Sequence, residues 1–158
     1  MNLTDSIHAI LQSLNFSNFS YLSNKNNIEF NTGEYVAIRG YLKEVDRHFN
    51  LGIINDLSNI KFYWNTKMNK DTTTACWSEF KFNSVFVCND FHFDYKTDGF
   101  KRLIEPIGHE LRHRWQCKKF TIFYFLCKFP IIKNMTLELD ANNIGEKINK
   151  YYKISEEI

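Results

Sequence analysis

Two histidines and a glutamate stand at a spacing that could hold and use a metal ion. Residues 108–116 read Gly-His-Glu-Leu-Arg-His-Arg-Trp-Gln, so His109, Glu110 and His113 form the pattern His-Glu-x-x-His. On a helix each residue turns by about 100°, so positions four apart lie on the same face. His109 and His113 would then project one turn apart, at a separation that lets both imidazoles bind one cation.

The chemistry that this pattern favours is metal-assisted hydrolysis. Neutral imidazole is a good ligand for Zn²⁺, and the ion tolerates an open fourth position. The ion can lower the pKa of a bound water to about 7, and Glu110, beside the first histidine, can take the proton. We therefore expect His109 and His113 to be ligands, Zn²⁺ to be the cofactor, and Glu110 to be the general base.

A third metal ligand is needed, and it should be a carboxylate or a histidine elsewhere in the chain. The other histidines, His8, His48 and His92, all lie upstream of the motif, whereas a later predicted helix offers carboxylates. Glu138 lies twenty-five residues after His113, in the run of residues 136–142. Asp140, two residues later, is the second choice as ligand.

These two segments together resemble the gluzincin branch of the zincin metallopeptidases, in particular its very small members, the minigluzincins. In that family a His-Glu-x-x-His helix follows a short sheet, and a later helix with Glu-x-x-Ala-Asp or Glu-x-x-Ala-Asn supplies a glutamate to zinc. Glu138, Ala141 and Asn142 match the second pattern. The resemblance implies that Glu138 binds zinc and that Asn142 hydrogen-bonds a ligand histidine. On a helix Glu138 and Asn142 share a face, which is the geometry that such a ligand and partner need, whereas Asp140 points about 160° away from Asn142. It covers about residues 80–152, whereas residues 1–79 match nothing in the family.

Two further residues of the motif segment bear on the site. Arg112 departs from the family pattern, since the residues between the histidines are usually uncharged there. Beside an open cleft, Arg112 could extend its guanidinium to water. Gln116 lies one turn beyond His113 on the same face, where it could support a ligand, line the cleft, or be an ordinary exposed glutamine.

The resemblance also implies how a peptide or protein substrate would bind. In the family, the substrate lies extended along an edge strand above the active-site helix and adds to the sheet. Residues 80–88 alternate in character and are the candidate for that edge, or for an internal strand that covers the helix. An oxyanion-stabilising side chain is also expected. Tyr151, Tyr152 and His92 are the candidates, and the sequence does not select among them.

The elements that must position these residues indicate an α+β fold. We expect one zincin-like domain over residues 1–158, with a small antiparallel or mixed sheet packed on the motif helix and on the following glutamate-bearing helix. The motif helix is predicted over residues 99–117, capped by Asp98 and interrupted by Pro106. The other predicted elements are a short helix after Thr4-Asp5-Ser6, loops at residues 15–31 and 65–75, a helix over residues 34–49 capped by Thr32, the strand at residues 80–88, and a last helix from Asn134 or Thr136 toward Tyr152.

Composition narrows the class of protein. With 158 residues, 44% hydrophobic and 24% charged, the chain can form a packed core, which excludes global disorder. The four cysteines form no CxxC pair and are expected to be free thiols. The N-terminal residues lack the features of a secretory signal, and the most apolar stretch is too short to cross a bilayer. We expect a soluble cytoplasmic protein without a membrane partner.

A nucleic-acid-associated function is the main alternative to the peptidase. Residues 96–128 carry eight basic and three acidic side chains. A patch of this kind can contact phosphates, although a charged helix face is more commonly just solvated. A zincin-like fold that holds a structural zinc, or that only binds a partner, is also open. We favour a zinc-dependent metallopeptidase that hydrolyses peptide bonds.

Overall fold

A computed structural model describes residues 24–92, 100–122, 124 and 135–157 of the chain, and these residues form an α+β fold, as expected. The predicted helix after Thr4, the proposed cap Asp98 and the fourth cysteine, Cys127, lie outside the described residues. The described helices are α1 (Thr32–Phe49), α2 (Lys101–Lys119) and α3 (Met135–Glu157). The described strands are β1 (Asn27–Glu29), β2 (Lys61–Asn65), β3 (Ala75–Trp77) and β4 (Ser84–Cys88).

The four strands form one mixed sheet in the order β1-β2-β4-β3. Strands β2 and β4 are parallel, and the other two pairs are antiparallel. Because β4 is paired on both sides, it is an internal strand, so of the two alternatives for residues 80–88 the edge strand is wrong and the internal strand is confirmed. The strand is also shorter than predicted, since it begins at Ser84 after a 3-10 turn at Glu79–Lys81.

The alternation that predicted the strand does not separate a dry face from a wet one. Val85, Phe86, Val87 and Cys88 are all buried, so both faces of β4 are covered. The two edge strands were not predicted: β1 falls within residues 15–31, predicted as a loop, and β3 begins at Ala75, the last residue of the loop predicted at 65–75. Each has three residues, which is too short for a strand period to be visible in the sequence.

Helix α1 confirms the helix predicted over residues 34–49, with a different cap. The side chain of Asn31, and not that of Thr32, accepts a hydrogen bond from the Glu34 N–H at 2.9 Å. Asn31 Nδ2 in turn donates to Glu34 Oε1 at 2.6 Å. The first of these bonds satisfies a backbone N–H that the first helical turn leaves open, the second holds the two side chains together, and Thr32 becomes the first residue of the helix.

Helices α2 and α3 pack closely at the level of the motif. A Cβ atom on Gly108 would lie only 2.3 Å from Ile148 Cδ1, so any other residue here would require the Ile148 side chain to move. Ala141 is completely buried, as its small size suggested. Helix α2 runs through Pro106 and does not begin afresh there. The close contact brings the first turns of α3 beside the histidines of α2.

The described cysteines Cys76, Cys88 and Cys117 are free and buried, which agrees with the expectation of free thiols. Within the part of the chain that the structure describes, no helix combines the length and the apolarity needed to cross a membrane.

Candidate metal centre

His109 and His113 on α2 converge with Glu138 on α3. The two histidine Nε2 atoms are 3.1 Å apart. Glu138 Oε2 lies 3.4 Å from His109 Nε2, and Glu138 Oε1 lies 3.1 Å from His113 Nε2. The three side chains therefore form a triangle of potential ligand atoms, the donor triangle, with sides of similar length.

The size of the donor triangle fits a zinc ion. Zn²⁺ binds histidine nitrogen and carboxylate oxygen at about 2.0–2.2 Å in tetrahedral sites, which puts neighbouring donors roughly 3.3–3.5 Å apart. The observed separations of 3.1 to 3.4 Å approach this range. Two imidazoles and one carboxylate are also a donor set that suits zinc. These residues thus fit the ion that the motif implies.

The charges around the donor triangle favour a cation. The neighbouring imidazoles of His109 and His113 hold the pKa of Glu138 well below its usual range, against the opposing effect of burial. Burial alone would lower the pKa of His109, but the hydrogen bond to Glu138 and the charges of Glu110, Glu138 and Glu105 raise it overall. Negative charge therefore surrounds the imidazoles, and a bound cation would neutralise it.

Glu110 lies beside the donor triangle and is held by the edge of the sheet. Its Oε2 accepts a hydrogen bond from the backbone N–H of Trp77, on β3, at 3.0 Å. Burial raises the pKa of Glu110 to about 6, although the charges of His113 and His109 and the Trp77 N–H lower it. A carboxylate with a pKa near the working pH is well suited to general-base catalysis.

An open cavity gives access to these groups. Its volume is about 580 Å³, and His109, Glu110 and Asn142 contribute to its wall. The rest of the wall comes from the β3 edge and its preceding loop (Thr72, Thr73, Thr74 and Ala75), from Phe91, from the first turns of α2 (Arg102, Glu105 and Pro106), and from Gly145. The cavity is large enough for part of a peptide.

Gln116, and not Asn142, makes the contact with a ligand histidine that the resemblance implied for Asn142. Asn142 is exposed on the cavity wall, and among the described residues no hydrogen bond joins it to either histidine. Gln116, which is only 2% exposed, has its Oε1 at 2.9 Å from His113 Nδ1. The glutamine on α2, rather than the asparagine on α3, contacts a ligand histidine.

Asp140 and Arg112 pair with each other. Arg112 Nε and Nη2 donate to the Asp140 carboxylate at 2.6 and 3.1 Å, and Nη1 donates to Leu51 O at 2.7 Å. The guanidinium also lies over the Trp115 ring, 3.8 Å from its centroid. The expectation that Arg112 extends to water is therefore wrong, and Asp140 lies outside the donor triangle.

The three candidates for oxyanion stabilisation are engaged elsewhere. Tyr151 donates to Glu44 at 2.8 Å, and the Tyr152 hydroxyl lies 3.4 Å from Tyr41 O. His92 lies 3.4 Å from Glu34 and against Trp64. Of the described residues that line the cavity, none is one of these three, so the structure does not bring them together with the donor triangle.

Sequence reasoning missed two features of the site. The Trp77 N–H reaches Glu110 from β3, a strand whose three residues gave no period. The Arg112–Asp140 pair joins two helices, and the only sequence signal was the opposite charge of two residues already singled out.

Part of the basic stretch is neutralised by acids. Arg112 pairs with Asp140, while Arg114 and Lys118 both contact Asp56. Arg114 is also nearly buried, with 8% of its side chain exposed. Three of the eight basic residues therefore have less charge to offer a phosphate backbone than the sequence suggested.

Comparison with protein-family models, curated proteins and solved structures finds no match to this chain. The resemblance to gluzincins therefore rests on the residue pattern.

Proposed function

We propose that the chain is a zinc-dependent peptidase in which His109, His113 and Glu138 hold Zn²⁺ and Glu110 is the general base. The observation that carries the proposal is the donor triangle of zinc-like dimensions, with Glu110 beside it in the wall of an open cavity. A zincin-like arrangement is part of the proposal, and the packing of α2 between the β3 edge and α3 supports it.

The proposed reaction divides the work between the ion and Glu110. A bound zinc ion supplies a Lewis acid that polarises the scissile carbonyl and makes a water more acidic. Glu110 takes the proton from the attacking water and delivers it to the leaving amine. With a pKa of about 6, Glu110 is mostly ionised at neutral pH and can still act as an acid in the second step. The Trp77 N–H holds one carboxylate oxygen and leaves the other to exchange the proton.

The β3 strand supports an extended peptide as the substrate. Thr74 O accepts from Cys88 N at 2.8 Å, and Cys76 is paired with Phe86, so these residues turn their backbone groups toward β4. In an antiparallel pair, the alternate residues turn theirs the other way. Those residues are Ala75, which lines the cavity, and Trp77, which reaches Glu110. A peptide added along this edge would lie beside the general base.

The decisive experiment is the metal content of the purified protein. We expect close to one zinc per chain at neutral pH in the wild type, loss of the metal in His113→Ala, and retention in His48→Ala, which removes an exposed histidine outside the donor triangle. The wild type should also cleave members of a broad peptide library. A wild-type protein without stoichiometric zinc would refute the proposal.

A further inference from the structure

We propose that Arg112, Asp140 and Gln116 are positioning residues linked by hydrogen bonds, the Gln116 relay, and that this relay fixes the ring orientation and the tautomer of His113. The role of the Gln116 relay toward a metal rests on the proposed function, but its effect on His113 exists without the ion. The resemblance implied that Asn142 would hydrogen-bond a ligand histidine, so the assignment moves that support to a different set of residues.

The orientation of the Gln116 amide is determined by its neighbours. Gln116 Nε2 donates to Leu137 O at 2.9 Å and to Asp140 Oδ2 at 2.8 Å. A backbone carbonyl and an ionised carboxylate only accept hydrogen bonds, so the NH₂ group must face them. The amide oxygen then faces His113, where it lies 2.9 Å from Nδ1.

This orientation determines where His113 carries its proton. Because the amide oxygen only accepts, Nδ1 must be the donor. In a neutral imidazole the other nitrogen then has the lone pair. That nitrogen, Nε2, points to His109 Nε2 and to Glu138 Oε1, both at 3.1 Å. Gln116 thus prepares His113 in the form that a metal ligand requires.

Asp140 and Arg112 hold Gln116 in turn. The Asp140 Oδ2 atom that receives the Gln116 amide also receives Arg112 Nε at 2.6 Å. The pair is two-pronged and charge-assisted, which makes it stronger and more directional than a neutral hydrogen bond. Only 14% of the Arg112 side chain is exposed. The Gln116 relay therefore connects α2 to α3 through a partly buried ion pair.

The Arg112 end of the Gln116 relay is held by the backbone after α1. Arg112 Nη1 donates to Leu51 O, which stands between two residues in the left-handed region, Asn50 (φ 49°) and Gly52 (φ 65°). Trp115 covers the other side of the guanidinium. Arg112, the residue that departs from the family pattern, is thus the partner that Asp140 needs.

The test compares Gln116→Met, which keeps the length of the side chain and removes its hydrogen bonds, with Asn142→Ala. The first measurement is the ¹⁵N–¹H correlation spectrum of the imidazoles in metal-free protein. We expect a proton on Nδ1 of His113 in the wild type and in Asn142→Ala, and mixed tautomers in Gln116→Met. The second is zinc affinity by competition with a chromophoric chelator. We expect a loss of about 10- to 100-fold in Gln116→Met, and none in Asn142→Ala.

The inference is overturned if Gln116→Met keeps both the Nδ1 proton and the wild-type affinity, or if Asn142→Ala loses them. Because Gln116 is buried, Asp140→Asn provides a second variant at a side chain that is 40% exposed. Asp140→Asn should shift the tautomer populations of His113 in the same direction as Gln116→Met but by less, and an unchanged spectrum would also count against the Gln116 relay.

Failure of the relay and failure of the proposed function are distinguishable. A wild type that keeps the Nδ1 proton on His113 but binds no zinc refutes only the proposed function. A wild type that binds zinc, with variants whose tautomers and zinc affinity are unchanged, refutes only the relay.

Discussion

Helix α2 carries two nearly buried arginines, and each is paired with an aspartate from another part of the chain. Arg112 pairs with Asp140 on α3, and Arg114 lies 3.4 Å from Asp56 before the 3-10 turn at Leu57–Asn59. The first pair continues through Gln116 to His113. The second continues to the backbone carbonyl of Phe82 and to Asn83.

The same kind of interaction therefore has two uses on the two faces of one helix. On one face, which we call the site face, the ion pair fixes a side chain of the donor triangle. On the other, the support face, it fixes α2 against the turn before β4. The comparison indicates that a buried arginine on its own says little about function, and that what its partner contacts next decides the role. Changes on the site face should alter chemistry, and changes on the support face should alter stability.

The largest expected effect is on the site face, at the general base. Glu110→Gln should lower kcat for peptide cleavage by about 10²- to 10⁴-fold, because an amide cannot take a proton from water. Zinc content and the midpoint of thermal unfolding should stay close to wild type, since an amide oxygen can still accept the Trp77 N–H. Kinetics, metal analysis and a melting curve on the same preparation measure all three.

Glu105→Gln is the matched control for this prediction. It makes the same chemical change one turn and a residue earlier on α2, also in the cavity wall. It should leave kcat within a few-fold of wild type. An equal loss of kcat in both variants would mean that the general negative charge of the cavity, and not Glu110 itself, supports the reaction.

The next largest effect is the link between metal and stability. A ligand present at a hundred times its Kd stabilises the folded state by about 2.7 kcal/mol, which is roughly 5–10 °C in Tm for a domain of this size. Added zinc should raise the Tm of the wild type by this amount, and a chelator should reverse the change. The increase should disappear in His113→Ala and persist in His48→Ala. A rise of the same size in His113→Ala would place the metal elsewhere.

Replacing each arginine in turn with methionine tests the division of α2 into a site face and a support face. Arg112→Met should weaken zinc binding by about tenfold. Arg114→Met should leave zinc affinity unchanged and lower the free energy of unfolding by about 2 kcal/mol, because it removes the hydrogen bonds that a nearly buried guanidinium donates to Phe82 O, Asp56 and Asn83. Chelator competition and denaturant titration separate the two readouts. If Arg114→Met also weakened zinc binding, the division of α2 into two faces would be wrong.

Features of the fold and the site that depend on residues close together in the sequence could be predicted, whereas features that depend on distant contacts could not. The motif helix, α3 and α1 were predicted because their apolar spacing and charged residues lie within a few turns of sequence. His109 and His113 were named from an equally local spacing, whereas Glu138 was named through the resemblance of its helix to the gluzincin pattern. The β3 edge was not predicted, because a strand of three residues is defined by its partner β4 and not by its own sequence.

The contact of Gln116, rather than Asn142, with His113 could not be predicted for a different reason. A sequence shows which residues share a face of one helix, but not how two packed helices are rotated against each other. That rotation is set here by the close contact of Gly108 with Ile148 and by the Arg112–Asp140 pair. It turns Asp140 toward α2 and leaves Asn142 on the cavity wall. Neither residue type nor spacing could distinguish these two outcomes.

The smallest expected effect is at the outer end of the support face. The hydrogen bond from Lys118, opposed by burial and supported by the charges of Lys118 and Arg114, lowers the pKa of Asp56. A carboxyl group whose pKa is lower in the folded state stabilises the fold above its unfolded pKa of about 3.9, and this contribution is lost as the pH falls through the folded value. Asp56→Asn should therefore make the free energy of unfolding fall less steeply below about pH 4.

The expected size of this effect is less than about 1 kcal/mol at neutral pH, since the pair is partly exposed to solvent. Denaturant titrations at several pH values, for wild type and Asp56→Asn, measure the difference in slope. Zinc affinity at neutral pH should be identical in the two proteins, because Asp56 contacts Arg114 and Lys118 and not the Gln116 relay that leads to His113. A change in zinc affinity here would show that the support face communicates with the metal centre through α2.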